Sequence, residues 1–361
     1  VVSVSIDRET SYQSIVGFGG ALTQSSAYVY KQLPSDVQKE LMTSYYSAEE
    51  GLGFSVGRLP IHSCDFSVDT YTFDDVEGDT ELLSFDDEVL YDQNLSLPMI
   101  KDALNANPSL KLFGSPWSPP AWMKDNNDML HGGKLLDEYR EAWANYFSRW
   151  IDAYENQGVG IWGVTVQNEP EASQSWESCI YTAEETRDFV GDYLGPVLKE
   201  SHPSVKIFGF DHNKDHVADW AETLLGGNSS SAEFVDGIAF HWYSGACFEN
   251  VAKISEDFPE ALLLPSEATY ELTVLDDDED EEEWLVNGTW SKGEGYGYDI
   301  LGDLESGGVG WTDWNIVLDQ EGGPNHVGNY CDAAVVADLK GSDGPKLYYH
   351  PQYYYMGHFS K

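Results

Sequence analysis

A short apolar run, Ile161 to Val166, breaks off into Gln167-Asn168-Glu169-Pro170, and that break constrains the fold more than any other stretch. Its β-branched residues read as a buried strand. Proline at 170 has no N–H to donate and fixes its own φ, so the chain must leave the sheet there, with an amide and a carboxylate at the rim. A strand that delivers polar groups at its tip is presenting them. A second run, Ala261-Leu262-Leu263-Leu264-Pro265-Ser266-Glu267, repeats the design with another glutamate at its end.

Strands of this kind recur along the chain. The pattern predicts them at 14–20, 54–59, 110–115, 161–166, 205–210, 235–240, 261–267 and 309–314, with helical segments at 35–46, 137–155, 184–199 and 219–225 between them. Polar and aromatic residues gather at the strand ends: Arg58, Trp117, Glu169, Asp211-His212, His241-Trp242-Tyr243, Glu267 and Asn315. Eight strands alternating with helices, each carrying its polar residues at the C-terminal end, predict a (β/α)8 TIM barrel whose active face collects those ends. A chain of 361 residues suits one such barrel. Periodicity alone also allows an open doubly wound sheet, but Gly17-Phe18-Gly19-Gly20 lacks the third spaced glycine of a phosphate-cradling loop. Val2, Val4 and Ile6 alternate with polar residues, so 1–10 is expected to be a short β segment preceding a barrel over 11–361.

Charge narrows the partners. With 63 acidic against 19 basic residues the formal net charge is −44, and such a surface repels nucleic acid and anionic membranes at neutral pH. Either a saline habitat or an acidic compartment would account for it. Cys64, Cys179, Cys247 and Cys331 have neither CxxC spacing nor neighbouring His pairs, so they read as free thiols, without a metal site or a dense disulfide framework. No apolar run approaches the roughly 18 residues of a membrane span. The start, Val1-Val2-Ser3-Val4, has neither Met nor a signal pattern, and the expectation is a processed or trimmed chain. Sequons at Asn94, Asn228 and Asn287 permit a secretory route. The eight acids from Asp276 to Glu283 read as a solvated loop beside the active face, placed where it could gate entry or repel lipid.

Paired carboxylates suit glycoside cleavage. One donates a proton to the leaving oxygen, and the other, if about 5 Å away, attacks the anomeric carbon, giving a covalent sugar ester and retained configuration. Strands four and seven face each other across a barrel mouth, so Glu169 and Glu267 can be opposed there. Arg58, at the end of strand two, is the natural cation to keep Glu267 ionised, while Glu169 keeps its proton as the acid. Asn168 can bond a sugar 2-hydroxyl. Trp117, Trp242 and Trp314 could stack on sugar C–H surfaces. His241 reads as a hydrogen-bonded supporting residue, since no second histidine lies at ligand spacing.

The ordered blocks Asn168-Glu169-Pro170, Ser266-Glu267, Ser63-Cys64-Asp65-Phe66-Ser67, Ser115-Pro116-Trp117, His241-Trp242-Tyr243, Gly310-Trp311-Thr312-Asp313-Trp314-Asn315 and Glu321-Gly322-Gly323-Pro324-Asn325 resemble family-30 glycoside hydrolases, nearest their glucosylceramidase branch. The resemblance spans the chain from about Tyr12 onward. It implies Glu169 as acid/base, Glu267 as nucleophile, and glucose contacts from Asp65, Trp117, Asn168, Trp314 and Asn329, with Tyr243 and Arg58 supporting the nucleophile. It further implies hydrolysis of glucosylceramide without metal or organic cofactor, a lysosomal or secreted setting, and help from a small saposin-like activator protein and a membrane lipid surface. Departures concern mainly lipid engagement. The branch's β-sandwich is expected to be largely missing here, which leaves an apolar barrel flank exposed. Gly328 stands where arginine is usual, Gln167 where glutamate is, and Thr269 where cysteine is; the acidic run is foreign. Rivals are a β-1,6-glucanase of the same family and a non-catalytic glycolipid-binding protein.

Overall fold

The computed structural model describes residues 7–272, 285, 287–342 and 344–361. The strand expected at Val2 to Ile6 and the acidic run 276–283 lie outside the described residues.

The eight expected strands are present: β1 Gly17–Ala21, β2 Val56–Ile61, β3 Lys111–Pro116, β4 Ile161–Thr165, β5 Lys206–Asn213, β6 Val235–His241, β7 Leu262–Glu267 and β8 Gly310–Asn315. All neighbouring pairs are parallel, and the sheet runs β7-β6-β5-β4-β3-β2-β1-β8. Between β7 and β8 the ring is drawn together by a bridge from Leu263 to Gly308 and by backbone bonds from Val309 N–H to Leu263 O (2.8 Å) and from Trp314 N–H to Ala268 O (2.9 Å). This is a (β/α)8 barrel, as the pattern predicts.

Strand periodicity sets the height of the site. Val56, Phe113, Phe208, Ala239, Leu264 and Val309 form a buried apolar cluster of their own, apart from the large helix-facing core. Residues two further along point to the same side. Above Val56 stands Arg58, above Phe113 Ser115, above Ala239 His241, and above Leu264 Ser266, all buried. A dry layer therefore seals the barrel and carries a polar layer directly on top. Arg58 is consequently third of the six residues of β2, rising from inside the barrel, and not at the strand end as the expected strand, set two residues earlier, implied.

Helices follow the reading where amphipathic periodicity is strong. Ser35–Tyr46 is reproduced, the 137–155 segment becomes a 3-10 turn at Asp137–Tyr139 followed by Arg140–Asn156, and Val217–Leu225 replaces 219–225. The 184–199 segment runs as Ala183–Phe189, a π-turn Val190–Leu194 and Gly195–Ser201; Thr182 and Glu185 form a capping box at its start. Helices at Gln24–Gln32, Ser96–Ala106, Phe248–Asp257, Trp290–Glu305 and Pro351–Ser360 escaped the reading. So did a small sheet after the barrel, β9 Leu318–Asp319, β10 Val335–Asp338 and β11 Lys346–Tyr349, in the order β11-β10-β9. Its first two strands clamp the ends of the loop that carries Asn329. No helix among the described residues is long and apolar enough to cross a membrane.

Candidate active site

Arg58 organises the mouth. Its guanidinium donates from Nε to Ser115 Oγ (3.1 Å), from Nη2 to Asn168 Oδ1 and Asp211 Oδ2 (both 2.8 Å), and from Nη1 to Glu267. It lies 4.8 Å from the ring centre of Trp117 and 5.4 Å from that of Trp314, which are themselves stacked at 5.2 Å. A planar donor fork lying against an aromatic pair is a role lysine cannot fill. The second oxygen of Glu267 accepts from Tyr243 Oη at 2.8 Å, so this carboxylate is fixed from both sides.

Asp211 is a hub that the sequence reading did not single out. A register shift between Phe210 and His212 in β5, with φ of 71° and 72° at Phe210 and Asp211, turns its side chain into the barrel. There it accepts from Arg58, Thr165 Oγ1 (2.6 Å) and Ser266 Oγ (2.5 Å), and it bonds His241 Nε2 at 3.0 Å. The other nitrogen of His241 lies 3.2 Å from Glu169 Oε1 and 3.9 Å from Glu267 Oε1. The two strand-end glutamates thus meet over one imidazole. Those two oxygens cannot be further apart than the sum of these distances, which falls short of most of the range of about 6.5–9.5 Å used by inverting glycosidases. Glu169 itself has φ of 46°, a left-handed conformation unusual for a side-chain-bearing residue and of the kind that clusters at functional sites.

Charge is divided unequally. Burial pushes the Glu169 carboxyl up, but the imidazoles of His212 and His241 outweigh it and hold it well below the usual range. Burial pushes His241 down, yet the charge of Glu267 and its bonds to Asp211 and Glu169 raise it to about 9. In the free site the proton expected on Glu169 therefore sits on the adjoining His241 imidazole; the sequence reading had His241 as a supporting residue and His212 at a strand end, but spacing did not show that both face this glutamate. Asp65 is pushed up to about 8, chiefly by burial and then by the charge of Glu267, against a 2.9 Å bond from Asn329 Nδ2.

Asp65, Trp117, Asn168, Glu169, Tyr243, Glu267, Trp314 and Asn329 line a single cavity of about 280 Å³, with Arg58 and His241 beneath it. The expected catalytic, supporting and sugar-contact residues are thus brought together, with one exception among the three tryptophans expected to stack on sugar. Trp242 is not among the lining: its Nε1 donates to Thr269 O (3.0 Å) and its ring packs edge-on to Tyr270 and Tyr296. It belongs to an adjoining groove of about 490 Å³ that shares Tyr243, Thr269 and Glu271 with the cavity and continues along Ala246, Tyr270 and Tyr298. Trp176 and Gln174, on the loop after Glu169, complete the wall and were missed, since nothing local distinguishes them from ordinary loop residues. Two departures find a physical basis. Gln167 donates from Nε2 to Trp117 O (2.7 Å) and Asn168 O (2.9 Å), bonds a carboxylate could not make, and Thr269 Oγ1 donates to Asp332 O (3.1 Å). Histidine at 212 supplies the neighbour that spacing did not reveal: ligand atoms of Glu169, His212 and His241 lie within 4.8 Å of one another.

A model of the glycosyl hydrolase family 30 TIM-barrel domain matches residues 15–361. The mouse lysosomal acid glucosylceramidase is 35% identical over 374 residues, covering 99% of this chain and 70% of that protein. Among solved structures, SrfJ from Salmonella typhimurium superposes with a TM-score of 0.89 at 34% identity, covering 98% of this chain and 76% of that one. The endo-β-1,6-glucanase BT3312 superposes with a TM-score of 0.86 at 30% identity, covering 98% and 77%.

Proposed function

The chain belongs to glycosyl hydrolase family 30, and from that premise we propose that it is a retaining β-glucosidase that releases glucose from a lipid aglycone of the glucosylceramide type. The observation that carries the reading is the meeting of Glu169 and Glu267 over the His241 imidazole at the floor of a small cavity. Glu267, held by Arg58 and Tyr243, is the nucleophile; it attacks the anomeric carbon as the bond to the aglycone oxygen breaks. Glu169 protonates that oxygen, taking the proton held at His241 Nδ1, then deprotonates the water that opens the glucosyl ester. Substrate lying over Glu169 removes it from water, which favours its neutral form and draws the proton across.

Cavity size supports a terminal sugar. About 280 Å³ sits at the low end for small-molecule sites, and Asp65, Asn168 and Asn329 offer polar contacts around a ring stacked on Trp117 or Trp314. The adjoining groove, with Trp242, Tyr270 and Tyr298, suits apolar chains leaving the cavity past Tyr243. A lysosomal or secreted setting, a saposin-like activator and a lipid surface extend the same reading, supported by the likeness to the mouse protein. The likeness to BT3312 favours a second reading, an endo-acting β-1,6-glucanase.

Incubation with a 2-deoxy-2-fluoro-β-glucoside, followed by intact mass and a peptide map, tests the first reading. One sugar added at Glu267 is expected. A folded sample without adduct overturns it, and cleavage of internal bonds in β-1,6-gluco-oligosaccharides in preference to glucosylceramide transfers the assignment to the glucanase reading.

A further inference from the structure

Proton transfer between Glu169 and His241 leaves one group unexplained. His212, on β5, turns Nδ1 towards Glu169 Oε1 at 3.8 Å, close enough to act on its charge but too long for a hydrogen bond, and that buried nitrogen has no hydrogen-bond partner. A buried polar atom left unmade is costly, and it calls for a ligand. One further nitrogen faces the same spot. His241 Nδ1 stands 3.2 Å from Glu169 Oε1, close to the separation of about 3.4 Å that tetrahedral bonds of about 2.1 Å require. His241 Nε2 is bonded to Asp211, the outer-sphere carboxylate that orients a metal-ligating imidazole. The fourth direction opens to the cavity.

We propose that Glu169, His212 and His241 form a site for a zinc-class divalent ion, and that its occupation switches the enzyme off. Two imidazoles and one carboxylate suit zinc, with one position left open. Charge favours it too: Glu169, Asp211 and Glu267 contribute three negative charges against Arg58 and the proton on His241, and a dication that displaces that proton brings the group to neutrality. A bound ion takes the oxygen that must protonate the leaving group, so inhibition rests on the role proposed for Glu169, whereas binding does not.

The test uses the full chain stripped of metal, in excess Mg²⁺ so that surface carboxylates, which prefer a hard cation, are already occupied. Zinc titrated by calorimetry is expected to bind one per chain, and Co²⁺ to give the intense visible bands of a low-coordinate nitrogen–oxygen site. His212→Asn should lower zinc affinity at least about tenfold and remove those bands, and Glu169→Gln gives a second handle should the first variant fold poorly. No binding above the Mg²⁺ background, or equal affinity and an unchanged cobalt spectrum in the variants, overturns the site. Binding without loss of glycosidase activity keeps the site but removes Glu169 from the acid/base role, so the two failures are distinguishable.

Discussion

Two buried clusters of charge sit on either side of the barrel wall. At the mouth, Arg58 faces Asp211 and Glu267; just past the end of β5, Lys214 is held between Asp299 and Asp303 of the helix Trp290–Glu305, with Trp311 Nε1 of β8 donating to Asp299 and the ring of Phe248 4.5 Å from the ammonium. Each pairs one cation with two carboxylates, and both cations are fully buried. Their electrostatics diverge. Burial pushes Asp211 up, but the Arg58 charge overrides it and holds the carboxyl well below its ordinary range. Asp303 goes the other way, raised well above it by burial and then by the charge of Asp299. A guanidinium fork serves four acceptors at once and keeps Asp211 ionised beneath a cavity; the ammonium cluster neutralises itself and holds the helix Trp290–Glu305 to the wall. Buried charge at the mouth is kept available, whereas outside the barrel it is used up.

The sharpest way to break this contrast is to remove the exposed end of the first cluster. Glu267→Gln should lower kcat/KM by at least about 10⁴-fold while the protein stays folded, since Arg58 keeps Asp211, Asn168 and Ser115. Near-normal activity in that variant would remove Glu267 from the chemistry. Glu169→Gln should cost about 10²–10⁴-fold on alkyl glucosides. It should cost far less on dinitrophenyl glucosides, whose leaving group needs no proton. An equal loss on both substrates would mean that Glu169 positions the sugar and does not donate to the leaving oxygen.

Lys214→Met tests the other cluster. It strands two buried aspartates, and breaking a buried pair costs about 3–5 kcal/mol; Tm should drop by several degrees with kcat per folded molecule within about twofold. A variant of wild-type stability and reduced kcat would show that the two clusters are coupled and the division drawn above is wrong.

What was legible follows the same division. Strand runs ending in Glu169 and Glu267 were visible because strand order and strand ends are local properties, and the resemblance named the sugar contacts that the fold brings to one cavity. Asp211 was not visible as a hub, because its role depends on a register shift that rotates one residue of β5 inward. His212 was visible only as a strand-end residue, not as a neighbour of Glu169, because spacing within a segment says nothing about a neighbour supplied by another strand. Arg58 was placed at a strand tip because the predicted strand stopped at Leu59, two residues short of Ile61. Trp242 looked like Trp117 and Trp314 in sequence, yet its indole is directed to Thr269 and the aromatic residues beyond, which only packing decides.

The smallest effect expected is on stability against pH, and its sign is fixed by which groups hold protons in the fold. Asp65, Asp313 and Asp92 are raised, chiefly by burial, to about 8, 7 and 6. Each retains in the folded state a proton that the unfolded chain has lost above about pH 4, so stability falls as pH climbs through those values. His241 adds the same sign: its contribution is complete below its ordinary value and is lost as pH rises through about 9. Glu169 and Asp211 are held low, so their contribution is lost only as pH drops below the ordinary carboxylate range. Stability should therefore peak at mildly acidic pH and decline towards alkaline pH. The surface pushes the same way, because a net charge of −44 repels itself more as the last carboxyls ionise. Thermal unfolding at about pH 5, 7 and 9, in low and high salt, separates the two causes. The slope that survives high salt belongs to the buried groups, and Asp65→Asn should flatten it below about pH 8. A Tm that rises with pH in high salt would mean that Asp65 too is ionised throughout, and that the mouth differs from the lysine cluster more sharply than the burial of Asp65 implies.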